Sequence, residues 1–220
     1  DRPPPAEYLS RLAARVDAQP RIKVYTGAEL LETDGFRGNF TSRIQRNGDL
    51  LEIRHGVTVV ATGGEEYRGP EYGYGDHPAV LTQQEFETRL GEGELPDRVT
   101  MIQCVGPAED YCSRICCTVA LKNALLLKER HPGAEITIFN RDIRTYGFKE
   151  TLYEKAREAG VRFIHYEFDR KPEVILPGKM GKPLQVKAWE PVLQRDLALP
   201  ADLVVLSMPV VPAQGARELA

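Results

Sequence analysis

The sequence predicts an α/β fold built on a parallel sheet, and three observations support this prediction. From Val99 onwards, strand-like apolar segments alternate with helix-like segments, which is typical of βαβ units. Breaks rich in glycine and proline end the expected helices, at residues 131–133 (HPG) and 159–160 (AG). The composition, with 42% hydrophobic and 28% charged residues in 220, is that of an ordinary globular protein.

Residues before 65 are predicted to be mainly β. A short amphipathic helix at 6–18 comes first, and Asn47-Gly48 forms a hairpin turn because both residues tolerate positive φ. The β-branched run at 57–61 (VTVVA) predicts a buried strand that ends in Thr62-Gly63-Gly64. The elements expected beyond it are a helix at 82–90, a strand at 99–105, a helix at 116–130, a strand at 134–140, a helix at 148–159, a strand at 161–166, a β-rich hairpin at 184–199 and a strand at 201–207.

Gly91, Gly93 and Pro96 interrupt the pattern and predict a boundary between two parts of the chain. We expect a smaller, mainly β segment at 1–96. An α/β domain follows at 97–210 and carries all the cysteines, and residues 211–220 form a tail.

Charge and hydropathy exclude some classes of partner. The formal net charge of -3 gives no reason to expect nucleic acid, and no apolar run approaches the roughly 20 residues that span a bilayer. The first residues (DRPPPAEYLSRL) contain no apolar core of a signal peptide. We therefore expect a cytoplasmic protein without a transmembrane segment.

All four cysteines lie within 14 residues, where the strand at 99–105 leads into the helix at 116–130. Clustered cysteines in a reducing compartment bind metal or carry out redox chemistry more often than they form disulfides. The loop contains no G-x-G-x-x-G, and Glu109 and Asp110 stand where a dinucleotide phosphate would lie. The sequence therefore predicts a sulfur site in place of a phosphate site, with the spacing C-x7-C-x3-C-C at Cys104, Cys112, Cys116 and Cys117.

Four kinds of chemistry remain open on these residues. An iron–sulfur cluster accepts four thiolates at separate corners, and the start of a helix favours an anionic centre. Zinc prefers two C-x2–4-C knuckles, which the adjacent pair Cys116-Cys117 does not supply. A redox dithiol and a set of buried structural cysteines are the other two. No nucleophilic serine or carboxylate pair is arranged for catalysis, so no catalytic residue is predicted.

Long stretches of the chain resemble the A subunit of heterodisulfide reductase. The resemblance covers most of residues 20–208 and is specific because many stretches match in order. It is carried by VATGG at 60–64, EYGYGDHPAVLTQQEFE at 71–87, CVG at 104–106, YCSRICCTVALKNALLLKE at 111–129, RDIRTYGFKETLYEKAREAGVRFI at 141–164, DRKPEV at 169–174 and ADLVVLS at 201–207.

The resemblance implies a three-layer domain of the thioredoxin-reductase type beside part of a flavin domain. It also implies FAD and a [4Fe–4S] cluster on the four cysteines, and it places Thr62, Gly63 and Gly64 close to the flavin. Arg144, after the strand at 134–140, is expected to hydrogen-bond near the cluster or the flavin phosphate. The partners it implies are other subunits of a heterodisulfide-reductase-like complex and a second copy of the chain.

The sequence departs from the family in lacking its glycine-rich FAD fingerprint, its C-terminal flavin segment and its ferredoxin-type cysteine motifs. Met208-Pro209 also stands where the family places a small residue. We therefore expect an internal or truncated part of the family's full-length chain, inactive alone, that relays electrons between FAD and partner subunits. Two alternatives are an NAD(P)H-dependent flavoprotein disulfide reductase and a zinc-stabilised scaffold without redox function.

Overall fold

The computed structural model describes residues 4–177, 183–216 and 218–219. The chain divides into two compact units, residues 1–61 and residues 62–220. The first unit contains a helix and a three-stranded antiparallel sheet of order β1-β2-β3. Its elements are α1 (Pro5–Asp17), β1 (Ala28–Phe36), β2 (Asn39–Arg46) and β3 (Asp49–His55).

The predicted hairpin turn is confirmed. Asn47 and Gly48 join β2 to β3 with φ values of 51° and 90°, the positive values that a tight turn between antiparallel strands requires.

The prediction of a buried strand at 57–61 is wrong. These residues form no strand, and Val59 is 82% exposed. A β-branched run becomes a strand only when another strand supplies its hydrogen bonds, and no described strand pairs with this one. Thr62 and Gly63 therefore follow a segment that pairs with no described strand, instead of ending a sheet strand.

The second unit contains a five-stranded parallel sheet of order β5-β12-β6-β7-β8. An antiparallel sheet of order β11-β10-β9 and the pair β13-β4 complete its strands. The strands are β4 (Gly64–Glu66), β5 (Val80–Thr82), β6 (Arg98–Ile102), β7 (Glu135–Asn140), β8 (Arg162–His165), β9 (Glu173–Ile175), β10 (Gln185–Glu190), β11 (Arg195–Pro200), β12 (Leu203–Leu206) and β13 (Val210–Pro212). The helices are α2 (Gln83–Glu92), α3 (Cys116–Arg130) and α4 (Glu150–Glu158), with short 3₁₀ turns at Glu71–Gly73, Gly106–Glu109, Gly147–Lys149 and Phe168–Arg170.

Both faces of the parallel sheet are covered. Successive side chains of a strand point to opposite faces, so neighbouring residues belong to different cores. Met101 and Ile138 belong to the core on the helical side, with residues of α2, α3 and α4. Their neighbours Ile102 and Phe139 belong to the core on the other side, with Val186 of β10. Helices, parallel sheet and antiparallel sheet thus form three layers, and the predicted α/β class is confirmed.

The segment before residue 97 contributes to this unit. β5 pairs in parallel with β12, and Phe86 and Leu90 of α2 are fully buried in the helical core. Gly93, which suggested a domain boundary, ends α2 in the left-handed conformation at φ 94°. Residues 211–212, expected in the tail, continue β13. Whether the two parts derive from flavin and nucleotide domains stays a prediction.

Within the described residues, no helix combines the length and the apolar character that crossing a bilayer requires.

Candidate cysteine site

The loop between β6 and α3 lies at the carboxyl edge of the parallel sheet, where ligands of open α/β sheets bind. Cys104 follows the end of β6 in the left-handed conformation, with φ 59°. Gly106 also has positive φ, and a Cβ atom there would come within 2.7 Å of Cε1 of Tyr67. Lys171 holds the loop from the side through an ion pair with Glu109, with Nζ 2.6 Å from Oε1.

All four cysteines line one cavity of about 410 Å³. The loops after β7 and β8 supply much of the remaining wall, since the carboxyl ends of parallel strands meet at one edge of a sheet. The lining residues at these two strand ends are Arg141, Asp142, Arg144, His165 and Glu167, of which His165 is the last residue of β8. The structure thus brings the predicted residue Arg144 to the same cavity as the predicted thiols.

The thiols differ in exposure and in their partners. All four are free; Cys112 is exposed and Cys117 is buried. The Cys116 thiol lies 3.5 Å from the Met208 carbonyl oxygen, and the Cys117 thiol lies 3.8 Å from that of Asp142. The sulfur of Cys112 accepts a hydrogen bond from a backbone N–H of its own loop, two residues further along the chain.

Burial raises the pKa of Cys104, Cys116 and Cys117, and for Cys116 it reaches about 11. The neighbouring thiols raise these pKa values further, because each thiolate disfavours a second negative charge beside it. A nucleophilic redox cysteine needs the opposite, a lowered pKa. Metal binding would favour the thiolates and release their protons.

We expect the pKa of Cys116 to control its reactivity in the metal-free, reduced protein. Its alkylation by iodoacetamide rises about tenfold per pH unit between about pH 7 and about pH 10, because the thiolate fraction grows by that factor below the pKa. Exposed Cys112 is modified before Cys116 at neutral pH. Peptide mass spectrometry of initial rates measures both, and equal rates at neutral pH would contradict the expectation.

The four cysteines share the wall of one cavity. Among the described residues, no three His, Cys, Asp or Glu side chains form a group suited to one metal ion. A [4Fe–4S] cluster takes four cysteine thiolates at separate corners, so a donor set spread over a cavity fits it. Cys116 and Cys117 begin α3, where the helix dipole favours negative charge.

A second cavity, of about 930 Å³, is lined by Thr62, Gly63 and Gly64. Val210, Val211 and Pro212 of β13 form another part of its wall. Gly64 pairs with Pro212 between β4 and β13, and a Cβ at position 64 would come within 2.6 Å of Cγ1 of Val210. The predicted cofactor residues therefore line two different cavities. Thr62, Gly63 and Gly64 line this one, and Arg144 lines the cysteine cavity.

Tyr111, which was not among the predicted site residues, lines both cavities. Its hydroxyl donates to the Val210 carbonyl oxygen at 2.8 Å. The Val210 N–H donates to the Ser113 hydroxyl at 2.9 Å. The cysteine loop is thereby hydrogen-bonded to the strand beside the Thr62 cavity. The only sequence signal was that Tyr111 stands next to Cys112, and nothing in the sequence linked it to β13.

Known proteins share much of this sequence, although no protein-family model matches it. The A subunit of ferredoxin:CoB-CoM heterodisulfide reductase from Methanosarcina acetivorans is 38% identical, over 78% of this chain and 27% of that protein. The iron–sulfur A subunit of CoB–CoM heterodisulfide reductase from Methanocaldococcus jannaschii is 34% identical, over 81% of this chain and 30% of that protein. The chain is homologous to the A subunit of heterodisulfide reductase. It spans less than a third of the length of either relative.

A solved structure supports the fold. DfoA bound to FAD, the cadaverine monooxygenase of desferrioxamine biosynthesis from Erwinia amylovora, matches with a TM-score of 0.56 at 10% sequence identity. The match covers 96% of this chain and 58% of the monooxygenase. At this identity the likeness concerns the fold, and it agrees with the α/β architecture described above.

Proposed function

We propose that the chain is an electron-transfer segment of a heterodisulfide-reductase-like complex, with a [4Fe–4S] cluster in the cysteine cavity. The observation that carries the proposal is that Cys104, Cys112, Cys116 and Cys117 line one cavity. A relative that is named as an iron–sulfur protein, matching 81% of this chain, supports the same assignment. When bound, the cluster supplies single-electron transfer, and a flavin converts between one- and two-electron chemistry.

The wall of the cavity carries charges of both signs, from the carboxylates and arginines Glu109, Asp110, Asp142, Glu167, Arg114, Arg141 and Arg144. The four cysteines would be the ligands and would lose their protons on binding. Arg141 favours the thiolate of Cys104, and its guanidinium is itself fixed over the ring of Phe168, 3.3 Å from the centroid. Arg144, held by Asp142 at 3.1 Å, is a second cation of the wall. Arg141 would offset part of the negative charge that thiolate ligands concentrate in the cavity, whereas the charge of Arg144 is already balanced by Asp142.

The cavity of Thr62, Gly63 and Gly64 is the proposed flavin side of the relay. Tyr111 belongs to the walls of both cavities, so the two cavities adjoin the same residue. Its hydrogen bond to Val210 ties the cysteine loop to β13. The absence of a side chain at Gly64 lets β13 approach β4 closely. In this proposal FAD belongs to the intact protein, and this segment supplies part of its site.

The partners follow from the same proposal. Other subunits of the complex would exchange electrons with the cluster, and a second copy of the chain would form a homodimer. We propose that the segment belongs to an oxidoreductase subunit and is inactive when it is alone. The cytoplasmic location stays a prediction.

A redox titration of anaerobically purified protein tests the proposal. We expect reversible one-electron reduction, followed by electron paramagnetic resonance and by bleaching of the visible absorption. Tight NAD(P)H binding with oxidation of a cysteine pair would instead support the flavoprotein disulfide reductase. A colourless protein with stoichiometric zinc would support the scaffold.

A further inference from the structure

Gln103 has a fully buried side chain without a hydrogen-bond partner. Its relative exposure is 0%, and neither Nε2 nor Oε1 bonds to any residue that the structure describes. Its backbone is satisfied: the N–H donates to the Phe139 carbonyl oxygen at 2.9 Å, and the carbonyl oxygen accepts from the Tyr166 hydroxyl at 2.6 Å. Only the side-chain amide of Gln103 therefore lacks hydrogen-bond partners among the described residues.

Another buried glutamine of the same unit shows the usual situation. Nε2 of Gln83 donates to the Ser207 hydroxyl at 3.2 Å, and its Oε1 accepts from Asn123 at 2.9 Å. Buried polar groups are rarely left unpaired, because losing water without gaining a partner is unfavourable. Other buried polar atoms among the described residues, such as Oδ1 of Asn140, also lack a partner, but of these residues only Gln103 lines the cysteine cavity, so its amide is the one that an occupant of that cavity could pair.

Gln103 lies at the cysteine cavity. It is one of the lining residues, and it immediately precedes Cys104 at the carboxyl end of β6. The occupant proposed above is rich in sulfur, and sulfur accepts hydrogen bonds. Of the two side-chain atoms only Nε2 can donate to it.

We infer that the Nε2–H of Gln103 donates a hydrogen bond to a sulfur of the cluster. This hydrogen bond raises the reduction potential of the cluster. The inference rests on the proposed function. A donor next to the cluster stabilises the negative charge that reduction adds, so the reduced state gains more than the oxidised state. Cluster potentials are known to respond to hydrogen bonds at sulfur.

The test is the midpoint potential of the cluster in anaerobic protein carrying Gln103→Leu, with iron content measured on the same sample. We expect iron content close to that of the unchanged protein. The reduction equilibrium shifts about tenfold toward the oxidised state, which is about 59 mV for one electron. Gln103→Met, which keeps the length of the side chain but has no N–H donor, shifts it in the same direction.

Asn140→Leu is the matched control. Asn140 is a buried amide at the carboxyl end of the neighbouring strand β7, its Oδ1 also lacks a partner among the described residues, and it does not line the cavity. We expect an unchanged potential there. Potentials of the Gln103 variants equal to the unchanged protein, or an equal shift in Asn140→Leu, would overturn the inference alone.

Two further outcomes are decisive. If Gln103→Leu loses its iron, the potential of Gln103→Met decides by the same criterion. An unchanged protein without iron overturns the proposed function and this inference together.

Discussion

Replacing Cys117 by serine is expected to remove most of the iron from the protein. The thiol lies in the first turn of α3, is buried, and lines the cavity with the other three cysteines. A serine oxygen is a poor ligand for iron in such clusters, which are held by cysteine thiolates. Iron should fall from about four atoms per chain to less than about one. Anaerobic purification followed by iron analysis measures this.

The other cysteines give the same expectation, and the neighbouring threonine provides the control. Each of the other substitutions should also lower the iron content, because each removes one of the four proposed ligands. These variants are Cys104→Ser, Cys112→Ser and Cys116→Ser. Thr118 follows Cys117 in α3, does not line the cavity, and has a buried hydroxyl without a partner among the described residues. Thr118→Ala should keep its iron. Full iron content in Cys117→Ser would contradict the assignment of that ligand.

Phe86→Ala is expected to lower the free energy of unfolding of the second unit by about 3–5 kcal/mol. Phe86 is fully buried on α2 and belongs to the same core as Met101 and Leu121, so its removal leaves a cavity. Because α2 lies before residue 97, this substitution also tests whether 62–96 folds with the parallel sheet. Denaturant unfolding measures the loss, and hydrogen exchange locates it.

The control for this prediction is another phenylalanine of the same unit. Phe148 is fully exposed, so Phe148→Ala should change the free energy of unfolding by less than about 0.5 kcal/mol. In Phe86→Ala, amides of β5, β6 and β12 should lose protection together. Faster exchange confined to β5 and α2 would mean that these elements form a separate cooperative part.

The sequence predicted much of the second unit because its local signals agree with the tertiary structure. α3 spans Cys116–Arg130, as its pattern indicated, and Thr82 caps α2 with a reciprocal hydrogen bond to Glu85. The apolar pattern also located β6 and β7, since strands of a covered parallel sheet are continuously apolar, but β6 ends at Ile102 instead of residue 105 because the chain leaves the strand before Cys104, which has φ 59°. The same rule failed at 57–61, because an apolar β-branched run does not reveal whether a partner strand is present.

The candidate site was predictable only where its residues are neighbours in sequence. The four cysteines stand within one loop, so their proximity could be read directly. Arg141 and His165 reach the cavity because β7 and β8 end at the same sheet edge, which depends on strand order. Tyr111 depends on a hydrogen bond to a residue almost a hundred positions away. Gln103 depends on missing partners, which only three-dimensional packing reveals.

The content of iron and acid-labile sulfide per chain, with a visible spectrum, tests the central claim most directly. Protein made and purified without oxygen should contain about four of each and be brown, as a [4Fe–4S] cluster on Cys104, Cys112, Cys116 and Cys117 requires. A colourless protein without iron, containing two disulfides or one bound zinc ion, would contradict the claim. The homology would then concern the fold without its cluster chemistry.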